Sequence, residues 1–219
     1  MTIKIDKNDI NKYIHILDNT NGEIINGIKH YHDNLKELNS SNTELFINNT
    51  KHEFKKYFRA EKEGLYSIIL NLKSIIKDCT CMFFGCKNII NIDFSSFDTE
   101  SVKNMGYMFY GCENLTNINL SFFKTINVIN MEKMFFGCIN LSNINLYSFD
   151  TKNVTNIEEM FCGCENLIDI DLSSFNLENV DKMEFVFASC YSLKTIKINK
   201  QSYLKIKSQI DDNIKIIYQ

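Results

Sequence analysis

The chain has 219 residues, 44% of them apolar, with a formal net charge of −3 and a sequence pI near 5.8. That apolar share supports a packed core, and the acidic balance lacks the basic footprint that nucleic-acid binding needs. No apolar run reaches the length of a membrane-spanning helix, and the start, Met1 to Asp6, has no apolar secretory core.

Over residues 1–42, apolar residues recur at Ile10, Ile14, Leu17, Ile24, Ile28, Tyr31, Leu35 and Leu38, with Asn21 on the one missing heptad position. The spacing predicts a helical arm. Two forms of it are open: a hairpin turning at Asp18–Gly22 against the first repeat, or a coiled coil through residues 10–38 that joins copies or partners, with Asn21 setting the register. Asn39 to Asn42 reads as a linker.

Residues 43–78 change character. Leu45–Ile47, Phe54–Phe58 and Leu65–Leu72 look extended, with a turn at Glu63-Gly64. They predict an N-terminal β cap, which an open repeat end requires to cover its apolar surface and free backbone groups.

Residues 79–199 repeat. Cys86, Cys112, Cys138, Cys164 and Cys190 stand 26 residues apart, each behind a block such as Met108-Phe109-Tyr110-Gly111. An L-x-x-I-x-L pattern follows in the same register, as in Leu115/Ile118/Leu120 and Leu167/Ile170/Leu172. A fixed period of this size marks a stacked solenoid with one strand per unit. Val102, Met105, Phe109 and Cys112 fall on one helical face, so a helix is expected ahead of each strand. Ser101, Asn127, Asn153 and Asn179 stand where helix N-caps belong, and Gly85, Gly111, Gly137 and Gly163 where a left-handed residue would end the helix.

The tail, residues 200–219, predicts a C-terminal cap: a helix over Ser202–Ile210, a turn at Asp211–Asn213 and a strand over Ile214–Tyr218. With both ends capped, the chain reads as whole. The predicted class is thus an α/β leucine-rich-repeat solenoid of strand–helix units, with a parallel sheet on one face, two caps and an N-terminal helical segment.

The Phe149-Asp150-Thr151, Val154-Thr155-Asn156, Met160-Phe161 and Gly163-Cys164 blocks, with the strand Leu115 to Leu120, resemble the BspA-like leucine-rich repeat family and its bacterial and protist surface-protein repeat. The resemblance covers about residues 65–219. It implies a non-enzymatic, protein-binding solenoid, often a surface adhesin, and supplies no catalytic residues.

Eight cysteines are present, and the five at the 26-residue period are expected as buried free thiols. Cys79-Thr80-Cys81 and Cys162-Gly163-Cys164 lack the second pair or histidine of a zinc site. Unpaired thiols and the missing signal predict a cytoplasmic protein, with the cell surface as the alternative.

Between the core positions, each strand should turn alternate residues to solvent. These form one column of Asn91, Asn117, Asn143 and Asp169, and a second of Asp93, Asn119, Asn145 and Asp171, with Tyr147 beside them as an aromatic anchor. They either solvate the face by bonding to stacked neighbours or form a partner-binding surface. No nucleophile–histidine set or phosphate-cradling loop is readable, so no enzyme activity, cofactor or metal is expected. Three roles follow in order: a protein–protein interaction scaffold, an adhesin, or an assembly subunit held by the coiled coil.

Overall fold

The structure is a computed structural model that describes residues 1–18 and 35–219, with the backbone of residues 24–25 and 28–29. In chain order its strands are β1 (Thr2–Ile5), β2 (Tyr13–His15), β3 (Ile24–Ile25), β4 (Ile28–Lys29), β5 (Thr43–Ile47), β6 (Thr50–His52), β7 (Tyr57–Arg59) and β8 (Gly64–Leu72) in the N-terminal part. The repeats hold β9 (Ile89–Asp93), β10 (Asn117–Asn119), β11 (Asp169–Leu172) and β12 (Thr195–Ile198), and the tail holds helix α1 (Lys200–Ile206) and β13 (Lys215–Tyr218).

The strand side of the repeats is parallel. β9 pairs with β10, and β11, β12 and β13 pair in sequence, each unit in register 26 residues on between repeats. The ladder lapses at the third unit, where residues 141–146 form no strand although Leu141, Ile144 and Leu146 still point inward.

The expected helix of each unit is not there, and among the described residues α1 is the one α-helix. A ribbon of turns replaces it. Cys79, Cys81, Phe83 and Gly85 donate their N–H groups to the carbonyls of Asn104, Gly106, Met108 and Tyr110 in the next unit, at 2.8–3.0 Å. The alternate residues Met82, Phe84 and Cys86 donate three residues back, to Cys79, Cys81 and Phe83. A helix spends every N–H within itself, whereas this ribbon spends half of them on its neighbour.

Cys81, Tyr107, Lys133, Glu159 and Phe185 sit at φ between 52° and 59°, a left-handed conformation that a right-handed helix cannot absorb. The glycines do adopt the left-handed conformation expected of them, at φ 66° to 75°. They end a turn rather than a helix. At Gly163 a Cβ would lie 3.4 Å from the backbone of Gly137, so the stack of ribbons also needs the missing side chain. Asn127, Asn153 and Asn179 cap no helix. Their side-chain amides donate to the carbonyls of Glu100, Ile126 and Lys152 in the preceding unit, at 2.7–2.8 Å.

The core lies between strands and ribbons. Phe83, Phe109, Phe135, Phe161 and Phe187 stack with ring centroids 5.3–5.9 Å apart and nearly parallel planes. Each such pair contributes roughly 0.5–1.5 kcal/mol beyond the area it buries. Thr99, Thr125 and Thr151 are buried. Each hydroxyl donates to a carbonyl of the next unit and accepts the backbone N–H of the same residue, at 2.8–3.2 Å. Ser202 of α1 takes over this role at the last unit, donating to Phe175 O and accepting from Leu177 N.

The N-terminal part corrects the helical arm. β1 lies antiparallel between β8 and β9, so the sheet runs β10-β9-β1-β8-β5-β6, and β2 pairs with β7. Ile3, Ile5, Ile14, Ile16 and Leu17 are buried in the same core as the repeats. The apolar spacing of residues 10–17 therefore reflects strand and turn positions, and the coiled coil is withdrawn. β3 and β4 pair antiparallel. Asn21 and Tyr31 fall outside the described residues. The β cap expected over 43–78 carries β5 to β8, and the C-terminal cap has its helix and strand close to where they were read.

Candidate functional site

The strand face carries the residues singled out above. Asn91, Asp93, Asn117, Asn119, Asn143, Asn145, Asp169 and Asp171 are all exposed, and Tyr147 is 87% exposed. Their neighbours Ile92, Ile118, Ile144 and Ile170 point inward, because successive side chains of a strand face opposite ways.

The two columns differ in what their side chains do. In the second, Asp93, Asn119, Asn145 and Asp171 each accept the backbone N–H of the residue two ahead, Ser95, Ser121, Tyr147 and Ser173, at 2.9–3.1 Å. The serines add a hydroxyl bond to the same side chain. These are local turns that end each strand, a device Asn and Asp supply because their short side chains reach their own backbone. Lys197 adds a 3.0 Å ion pair to Asp171. The second column is thus largely structural, though not through bonds to stacked neighbours.

The first column is differently placed. Among the described residues, the side chains of Asn91, Asn117 and Asp169 make no hydrogen bond or ion pair, and Asn143 donates one 3.2 Å bond to Ser142 Oγ. A shallow groove of about 610 Å³ runs over this column where the strand ladder lapses, lined by Asn117, Asn143, Asn145, Asp169 and Thr195. Chemically it offers amide donors and acceptors at one strand spacing, roughly 4.8 Å apart, and one carboxylate.

A second polar cluster escaped the sequence reading. On the outer side of the turn ribbons, Tyr107 donates to Glu132 Oε1 at 2.6 Å, and Lys133 lies 3.2 Å from Glu159 and 3.4 Å from Glu132. Burial and the bond to Glu132 push the Tyr107 hydroxyl up to about 12. The residues are scattered over three units, so only the 26-residue register brings them together. Each is already paired, which makes the cluster a brace between units.

The cysteine column is a further brace. Cys112, Cys138, Cys164 and Cys190 each donate Sγ–H to the carbonyl of Phe83, Phe109, Phe135 and Phe161, at 3.1–3.2 Å. Burial pushes the Cys79 and Cys190 thiols up to about 12, and holds Cys86, Cys138 and Cys164 well above the ordinary thiol value. A thiolate nucleophile needs the opposite shift. Among the described residues, no group of three metal-ligating side chains gathers, and no helix is long and apolar enough to cross a membrane. His15 is half-buried beside Tyr57, His52 is exposed on β6, and His30 and His32 lie outside the described residues.

Residues 77–200, the repeat block, match the family described as Mycoplasma protein of unknown function, DUF285. The chain belongs to that family. No curated protein matches its sequence. A similar solved structure is a leucine-rich repeat protein from Bacteroides ovatus, 23% identical, with a TM-score of 0.41. The match covers 67% of this chain and 43% of that one, so it spans less than half the length of the Bacteroides protein.

Proposed function

We propose that this member of the family is a non-catalytic interaction scaffold that binds a protein partner across its strand face. One observation carries the reading: Asn91, Asn117, Asn143 and Asp169 stand exposed at regular spacing, and their side chains are little used by the fold. Polar amides left free on a rigid face are available to another chain's backbone and side chains, and Tyr147 offers the adjoining aromatic anchor. Tyr107, Glu132 and the cysteines, by contrast, are engaged within the solenoid. The 26-residue period and the Phe-Asp-Thr and Gly-Cys blocks favour a BspA-like affiliation for the repeats. The buried, high-pKa thiols favour a reducing compartment over export, and all eight should count as free thiols in protein from its native source.

The test is capture of partners from native lysate with three proteins: the parent, Asn117→Arg with Asn143→Arg, and Tyr147→Ala. A partner held by the parent should fall at least tenfold with the double variant, and Tyr147→Ala should weaken it as well. A partner retained at full level by both variants places binding elsewhere and removes this reading.

A further inference from the structure

The repeats carry no wedge between their two sides. Packed helices stand roughly 8–10 Å apart, about twice the strand spacing, and would bow the strand face inward. Here turn ribbons stand where the helices would. Ribbon binds ribbon through backbone hydrogen bonds of 2.7–3.0 Å, and on that side the rings of Phe84, Tyr110 and Phe136 stack 4.6–4.7 Å apart. Both sides of the stack therefore advance by one strand spacing per unit, and the strand face stays open to another flat surface.

Each unit turns three side chains outward on this face, and over five units they form columns headed by Asn91, Asp93 and Ser95. The rungs of a column stand roughly 4.8 Å apart. A ligand with another repeat falls out of step within a few rungs, whereas a second copy of this chain keeps step throughout. Amide side chains suit such pairing, since each offers both donor and acceptor. Charge then selects the orientation. A face-to-face pair is two-fold symmetric, about an axis that runs either along the stack or along the strands. With the axis along the stack, over the middle column, Asp93, Asp171 and Lys197 each meet their own copy, and like charges so opposed disfavour the pair. With the axis along the strand line of the third unit, the unit order is reversed and each column faces itself end for end. Asp169 then meets the second copy's Asn117, Asp171 meets its Asn119 and Asp93 meets its Lys197. Asp93 feels the Met1 ammonium but holds no ion pair among the described residues, and Lys197, paired with Asp171 at 3.0 Å, keeps 33% of its side chain exposed. Tyr147 is 87% exposed on the middle unit of the five, where the ring meets its own symmetry mate.

We propose that the partner of the strand face is a second copy of this chain, docked face to face about a two-fold axis along the strand line of the third unit. The proposal rests on the strand-face reading above and names its occupant. Three outward side chains from each of five units make about fifteen per copy, fewer than the roughly 20–30 of a standard interface. The pair is accordingly weak, with a dissociation constant of about 10–100 µM.

Sedimentation equilibrium of the pure full chain at low salt should give masses that rise from monomer to dimer across that range. Asn117→Asp sets a carboxylate against the second copy's Asp169 and should weaken the dimer at least tenfold. Adding Asp169→Asn exchanges the two groups and should restore the parent affinity, which neither a structural role for the two residues nor the other orientation predicts. Under mild oxidation Asn143→Cys, on the axis, should form a disulfide between copies, while the parent and Asn91→Cys, which faces Thr195, should not. A chain still monomeric tenfold above that range, a double variant as weak as the single one, or a disulfide with Asn91→Cys and none with Asn143→Cys overturns the proposal. The strand-face reading fails separately. A monomeric chain that still captures another protein from lysate, and loses it with Asn117→Arg and Asn143→Arg, removes the second copy as occupant and leaves that reading in place.

Discussion

The internal repeats and the N-terminal cap reach the same core by opposite routes. In the repeats the main core columns recur 26 residues on, so rings stack on rings and threonines bond to the next unit's backbone. In the cap nothing repeats. β1 meets β8 about sixty positions away and runs against it, and the core is closed by Ile3 and Ile5 rather than by a column. The difference teaches that periodicity is a packing rule for the interior of a stack, while its end is a separate problem in covering a sheet edge.

The largest effect should come from breaking the stack at its middle. Phe135→Ala removes a ring that two others sandwich and should cost about 3–5 kcal/mol, read by urea denaturation. Ile3→Ala tests the cap alone. It should cost about 2–5 kcal/mol, and hydrogen exchange should rise in β8 and β9 while the later units keep their protection. Equal loss of protection along the whole chain would show that cap and stack unfold as one.

Next comes Thr125→Val, which keeps the shape but leaves the carbonyl and N–H of Asp150 without their partner, at about 1–3 kcal/mol. Thermal melts should rank it with Gly137→Ala, whose φ of 67° carries a strain of about 1–2 kcal/mol in any residue with a Cβ. A change of pH acts on all the buried thiols at once. The buried thiols ionise far above their ordinary 9.0, Cys79 at about 12, so the unfolded chain gives up its thiol protons first. Their contribution to stability is whole below about pH 9 and falls as pH rises toward 12. A denaturation midpoint that stays level from pH 8 to pH 10.5 in the parent would show that these thiols are not protected by the fold.

Some of this was readable beforehand. The core columns, the left-handed glycines, the outward-facing amides and both ends of the C-terminal cap follow from spacing alone. The helix in each unit does not, because Val102, Met105, Phe109 and Cys112 keep the same three-and-four spacing on a ribbon of turns as on a helix. Its left-handed positions are filled by Cys81, Tyr107, Lys133, Glu159 and Phe185, none of which announces that conformation. The same ambiguity made residues 10–17 look helical, when Ile14 belongs to a strand whose partner, Phe58, lies far along the chain. For the candidate site, sequence placed all nine residues on one face, but it ranked the two columns together. Only the hydrogen bonds separate Asn117, left free, from Asn119, bound to Ser121.

By itself the sequence determined the period, the residues that face inward and the need for two caps, since these depend on alternation and on side-chain polarity. Tertiary structure decided whether each backbone N–H bonds within its unit or across to the next. It also decided that β1 lies antiparallel between β8 and β9. Both choices rest on hydrogen bonds between residues at least 25 positions apart, and no local pattern of side chains records them.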